Sequence, residues 1–99
     1  MVQINWTRTA QIDLKAIFDY IAKDSPKFAK LEVIKIQTRT KLLKLRPLTG
    51  KLVPEKDDLT IRELIEGNYR IIYKIINKKR IDILTVHHSS RDLSKRDIE

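Results

Sequence analysis

The 99 residues carry 21 Lys and Arg against 13 Asp and Glu, a formal charge of +8, and no cysteine. That length sets an expectation of one domain with a single core and no deep cleft between two domains. The charge suits polyanions or an acidic protein partner, and the missing thiols exclude disulfide frameworks, thiolate zinc sites and cysteine nucleophiles. No apolar run approaches a membrane span and no secretory apolar core opens the chain, so the expected location is cytoplasmic, without a membrane partner.

Val2, Ile4 and Trp6 alternate with Gln3 and Asn5, which predicts a short half-buried strand joining a sheet. Thr7 or Thr9 can cap a following helix in which Ala10, Leu14, Ile17, Phe18 and Ile21 form one apolar stripe. Asp24-Ser25-Pro26 ends that helix and starts another, because proline at the first helical position forfeits no bonded amide. The second helix is predicted from Pro26 to about Leu45, with Ala29, Val33, Ile36, Thr40 and Leu43 inward and Phe28 and Leu42 at the margin. The two helices should form an antiparallel hairpin against the sheet.

Lys27, Lys30, Lys35, Arg39, Lys41, Lys44, Arg46 and Lys51 stand against a single acid, Glu32, between Ser25 and Lys51. Such a run is either a solvated helix face or a surface for nucleic acid or an acidic partner, and the near absence of interleaved acids gives the charge a direction. Residues 47–58, broken by Pro47, Gly50 and Pro54, are expected to be an irregular loop.

Residues 59–86 organise the chain. Two β-branched and aromatic runs, 61–65 and 69–76, meet at Gly67-Asn68, a strong hairpin signal, and a second turn at residues 77–80 leads to a third run at 81–86. A two-residue first loop sets Glu66 opposite Tyr69, Ile65 opposite Arg70, Leu64 opposite Ile71 and Arg62 opposite Tyr73. A four-residue second turn sets Ile76 opposite Ile81, and hence Tyr73 opposite Leu84, Ile71 opposite Val86 and Arg70 opposite His87. One face then carries Leu64, Ile71, Tyr73, Ile75, Leu84 and Val86 toward the helices. The other collects Glu63, Arg70, Lys74, Thr85 and His87, and a one-residue slip would exchange them. His87 and His88 are adjacent and point to opposite faces, which argues against a two-histidine metal site. After Ser89, Ser90 and Arg91 a short charged tail bearing Leu93 and Ile98 is expected to be a frayed helical turn or disordered.

The predicted fold is α+β: an N-terminal strand, an antiparallel two-helix hairpin and a mainly antiparallel four-stranded sheet. Its predicted core is Leu14, Ile17, Ile21, Ile36, Leu43, Leu64, Ile71, Tyr73, Leu84 and Val86.

The element order, together with Trp6, Asp13-Leu14, Asp24-Ser25-Pro26, Pro47, Gly50, Val53-Pro54-Glu55, Arg62-Glu63-Leu64, the run from Gly67 to Tyr73, and Val86-His87, closely resembles the RelE/ParE superfamily of toxins. The resemblance spans nearly the whole chain. It implies a toxin encoded beside an antitoxin that wraps it and holds it inactive. RelE-like members cut messenger RNA on the ribosome, and ParE-like members inhibit DNA gyrase. For cleavage, Arg70 matches the arginine RelE-like toxins use on phosphate, Glu63 or His87 could act as base or acid, and Arg91 or Lys74 could add positive charge; no metal or other cofactor is implied. Alternatively Arg70 and Glu63 form a cross-strand ion pair and His87 is a strand-end residue. No tyrosine follows Tyr73 and no lysine-rich strand precedes the hairpin, whereas Arg62-Glu63-Leu64 and Asp24-Ser25-Pro26 resemble ParE-like sequences. The resemblance is therefore nearer the ParE-like branch, with a cognate antitoxin and DNA gyrase as expected partners and ribosome-bound mRNA as the alternative.

Overall fold

A computed structural model describes residues 2–90. Strand β1 (Gln3–Trp6) leads into helices α1 (Arg8–Ala22) and α2 (Pro26–Lys41), a 3-10 turn (Leu42–Lys44), and strands β2 (Lys51–Leu52), β3 (Ile61–Glu66), β4 (Tyr69–Asn77) and β5 (Arg80–His88). The sheet order is β1-β5-β4-β3-β2, with β1 parallel to β5 and the remaining pairs antiparallel. The α+β arrangement of two helices on a mostly antiparallel sheet is as expected from the sequence. The strand count is five rather than four, because the expected loop at residues 47–58 contributes Lys51 and Leu52 to the edge of β3.

Local chemistry fixes the helix ends. Thr7 caps α1 by accepting the Ala10 N–H at 3.2 Å, and Ser25 caps α2 by accepting the Phe28 N–H at 3.2 Å, with Pro26 opening the helix. The α-helical part of α2 stops at Lys41, where the chain tightens to 3-10 geometry; Arg39 and Lys41 then face the negative end of the helix dipole. Ala29, Ile36, Thr40 and Leu43 are buried, so the inward stripe lies where the spacing put it.

The β3–β4 hairpin has the predicted register, from Glu66 opposite Tyr69 to Arg62 opposite Tyr73. Gly67 takes φ 58°, and no non-glycine residue among those described has a positive φ, the pattern of a turn with glycine at its first central position. The β4–β5 pairing departs from expectation in its middle. Arg70 faces His87 and Ile71 faces Val86, but Tyr73 faces Ile83 and Ile75 faces Ile81. An extra residue on each strand, Leu84 on β5 and Ile76 on β4, produces the shift.

Those bulges correct the assignment of Leu84. Ile81 and Ile83 join Ala10, Ile36, Leu43, Leu64, Ile71, Tyr73 and Val86 under the helices. Leu84 is turned to the opposite face, where it packs with Val53, Ile61 and Ile72. Leu14 and Ile17 pack on the main core half-buried, and Ile21 is also half-buried. The second face is covered by the segment after β2, whose Val53 is buried at 2% exposure.

Candidate functional site

Arg70 lies on β4 between Ile65 of β3 and His87 of β5, and Glu63 stands two residues from Ile65 along β3. That geometry puts Arg70 and Glu63 on one face at a diagonal, and their side chains meet: Nη2 donates to Glu63 Oε2 at 2.6 Å. The rest of the fork is taken by Glu55. Arg70 Nη1 donates to Glu55 Oε2 at 2.7 Å and Nη2 to Oε1 at 2.8 Å, a bidentate pair. The Glu55 contact foremost, with Glu63 adding to it and burial opposing, raises the pKa of Arg70 above its ordinary value.

Arg70, Glu63 and His87 are all buried, so the expected grouping on one face exists but is closed off. The side chains of Arg70 and Glu63 are 9% and 5% exposed, that of Glu55 23%. A half-exposed cross-strand pair is thus replaced by a three-residue cluster, because the turn at residues 54–57 brings Glu55 onto the Arg70 fork. Lys74 sits farther along the same strand, half-exposed, with its ammonium 4.0 Å from Asp58. Hydrogen bonds from Thr60 foremost, and the charge of Lys74 last, lower the pKa of Asp58. Arg91 lies outside the described residues, as does the expected helical turn of the tail.

Thr85 was expected beside Arg70 but serves elsewhere. β1 leaves β5 after Ile83, which exposes the β5 edge, and α1 takes it over: Asp13 accepts the Val86 N–H at 3.1 Å and the Thr85 hydroxyl. Thr7 adds its hydroxyl to the Ile83 carbonyl at 2.8 Å. Next to this junction a cavity of about 570 Å³ is lined by Asp13, Tyr20, Tyr69, His87 and His88, among others. Tyr69 and His88 meet edge to face with ring centres 5.5 Å apart, and His88 Nδ1 lies 2.7 Å from Ser90 Oγ.

The loop before β2 is pinned from the core. The Tyr73 hydroxyl donates to the Pro47 carbonyl at 2.7 Å and accepts the Gly50 N–H at 2.9 Å, while Arg62 Nη1 donates to the Gly50 carbonyl at 2.9 Å. Burial pushes the Tyr73 phenol pKa up, so the hydroxyl stays protonated and available as a donor.

The basic run divides. Lys27, Lys30, Lys35, Lys41 and Lys44 are exposed along α2 and its 3-10 extension, with Arg39 half-exposed among them. Exposed Phe28, Leu31 and Ile34 on α2, with Leu42 and Leu45 at and just past its 3-10 extension, lie among these lysines. Arg46 follows the 3-10 turn, and Lys51 belongs to the sheet edge opposite Glu63, away from the helical group. Beside this surface a groove of about 450 Å³ crosses the helical hairpin between Trp6, Leu14, Phe18 and Val33.

Glu55 and Asp13 carry more of this arrangement than their sequence signals suggest. Glu55 stands in an aperiodic loop, so nothing but its sign connects it to Arg70. Asp13 does leave a trace: it falls three residues after Ala10 and four before Ile17, a carboxylate on an inward stripe, which requires buried donors.

Residues 4–93 match the family described as ParE toxin of type II toxin-antitoxin system, parDE. A protein named Toxin RelE2 from Caulobacter vibrioides is 31% identical over 91 residues, covering 92% of this chain and 99% of the relative. Among solved structures, the chromosomal ParDE toxin-antitoxin system from P. aeruginosa superposes with TM-score 0.73 at 28% identity, over 89% of this chain and 96% of that one. The RelBE2 toxin-antitoxin complex from Mycobacterium tuberculosis shares the fold at TM-score 0.58 and 23% identity, covering 88% and 96% of the two chains.

Proposed function

This chain belongs to the ParE toxin family of type II toxin-antitoxin systems, and from that premise we propose that it arrests growth in the cytoplasm by binding DNA gyrase and is held inactive by a cognate antitoxin. The observation that carries the choice of target is the state of Arg70. Phosphoryl-transfer catalysis needs a cation facing the scissile phosphate, with an acid and a base in reach. Here the guanidinium is bound on its fork by Glu55 and on Nη2 by Glu63, and both Arg70 and Glu63 are buried. Held there by two carboxylates of its own chain, Arg70 presents no open donor face to a phosphate. Sites of single-stranded RNA cleavage are served by an open face.

The antitoxin part rests on similarity to proteins whose solved structures are toxin-antitoxin assemblies, together with the exposed apolar residues set among the lysines of α2 and its extension. An acidic amphipathic segment complements such a surface in both hydrophobicity and charge. The second reading, a ribosome-dependent and metal-independent mRNA endoribonuclease, is favoured by the placement of Arg70, Glu63 and His87 on one face.

The two readings separate in one experiment. Purified toxin is added to a gyrase supercoiling reaction, and message ends are mapped after induction in cells. Inhibited supercoiling with intact messages is the expected result. Untouched supercoiling at large excess of folded protein, with breaks inside ribosome-bound codons, transfers the assignment to the nuclease.

A further inference from the structure

We propose that residues 54–57 form a latch, closed by Glu55 on Arg70, that a protein target opens by presenting an acidic side chain of its own to the Arg70 fork. This rests on the reading that the target is a protein. The segment is pegged at both ends. Val53 is buried among Ile61, Ile72 and Leu84, and Asp58 is fixed by accepting the Thr60 N–H at 2.8 Å and the Thr60 hydroxyl at 2.6 Å. Between the pegs the chain turns tightly, with the Lys56 N–H donating to the Val53 carbonyl at 3.1 Å, and Pro54 and Asp57 are exposed. Glu55 is the residue of this turn that reaches down to the sheet and grips it with two charge-assisted hydrogen bonds.

The two carboxylates on Arg70 are not equivalent. Glu63 belongs to β3 and is 5% exposed, so its backbone is fixed by the ladder; Glu55 stands on the turn and is 23% exposed. If the turn lifts, Arg70 keeps Glu63 as counter-charge and Glu55 passes into water. No buried charge is left unpaired, which is the condition that makes opening affordable. The ligand chemistry is stated by the closed form itself: the fork holds a carboxylate at 2.7 and 2.8 Å, so another carboxylate can replace it with the same charge and the same geometry. The formal +8 of the chain draws an acidic segment toward it.

The test compares the wild type with Glu55→Gln, which keeps size and removes the charge, and with Glu55→Ala. Hydrogen exchange of the purified toxin should show backbone amides of residues 55–57 exchanging about tenfold faster in both variants, while amides of the β3–β4 and β4–β5 ladders keep their protection. Unchanged exchange at 55–57, or equal acceleration throughout the sheet, overturns the latch. In the gyrase supercoiling reaction both variants should inhibit at several-fold lower concentration than the wild type, because opening no longer has to displace Glu55. Equal inhibition by all three proteins overturns the proposal and leaves the gyrase target standing. Should none of them inhibit, the target reading fails, and growth arrest decides: the variants must arrest cells at lower expression than the wild type, and equal or weaker arrest overturns the latch.

Discussion

Tyr73 accepts the backbone N–H of Gly50 on its phenolic oxygen at 2.9 Å, and the approach is possible because Gly50 has no side chain. A Cβ there would stand 2.6 Å from both the Tyr73 hydroxyl oxygen and the Glu63 carbonyl oxygen. One of the two neighbours is backbone of a central strand and cannot yield cheaply. Gly50→Ala should therefore destabilise by about 1 to 3 kcal/mol, the usual range of overpacked buried sites, as measured by denaturant unfolding. Tyr73→Phe removes the hydroxyl but not the ring, leaving the Pro47 carbonyl and Gly50 N–H without their partner, and should cost about 1 to 3 kcal/mol.

Arg70→Ala is expected to lower stability by about 3 to 5 kcal/mol, because it strands Glu63 and the inner part of Glu55 without a counter-charge. A partly exposed pair, as the sequence suggested, would lose about 1 kcal/mol or less. Urea unfolding of the purified variant separates these outcomes. Toxicity of Arg70→Ala must be scored against its measured stability, since loss of fold alone would abolish it.

Asp13→Ala should cost about 1 to 3 kcal/mol and should raise exchange of the Val86 amide more than that of amides inside the β3–β4 hairpin. The carboxylate bridges α1 to the edge that β1 leaves open, so the loss is local before it is global. Uniform acceleration across the sheet would show that Asp13 acts only through overall stability.

Acid should weaken the β1–β5 junction. Asp82 accepts from Arg80 at 2.8 and 3.0 Å and from Asn5 at 3.1 Å, and the Arg80 bonds foremost hold its pKa below the usual carboxylate value. A depressed folded pKa contributes stability that is complete above the unfolded value, near about 4, and is lost as pH falls through the folded one. Stability measured between pH 6 and roughly pH 2 should thus fall less steeply in Asp82→Asn than in the wild type. Parallel pH profiles would remove Asp82 as a contributor.

Much of this was legible because local rules govern it. Gly67-Asn68 fixed the β3–β4 register through turn geometry, Ser25-Pro26 fixed the start of α2, and the recurrence of Ala29, Ile36, Thr40 and Leu43 fixed its buried stripe. The placement of Leu84 was not legible, since a bulge changes which face a residue takes without changing the alternation around it. The partnership of Glu55 with Arg70 was equally hidden. It joins residues 15 apart in sequence through a loop that has no period, so only the folded path of residues 54–57 reveals it.

The two bulges on β4 and β5 act together as a vernier. Each adds one residue to a different strand, so the displacement introduced after Ile75 is cancelled before Ile72, and the pairing of Arg70 with His87 is what an uninterrupted hairpin starting from Asn77 and Arg80 would give. The central rungs can therefore be assigned to faces independently of the two ends. Deleting Leu84 alone would remove one bulge and leave Tyr73 opposite Ile83 and Arg70 opposite His87, and deleting Leu84 with Ile76 would make the ladder continuous with every observed rung kept. Exchanging the central rungs instead requires both extra residues to be drawn into the ladder, which would set Tyr73 opposite Leu84 and Ile76 opposite Ile81 while Arg70 and Asn77 keep their partners.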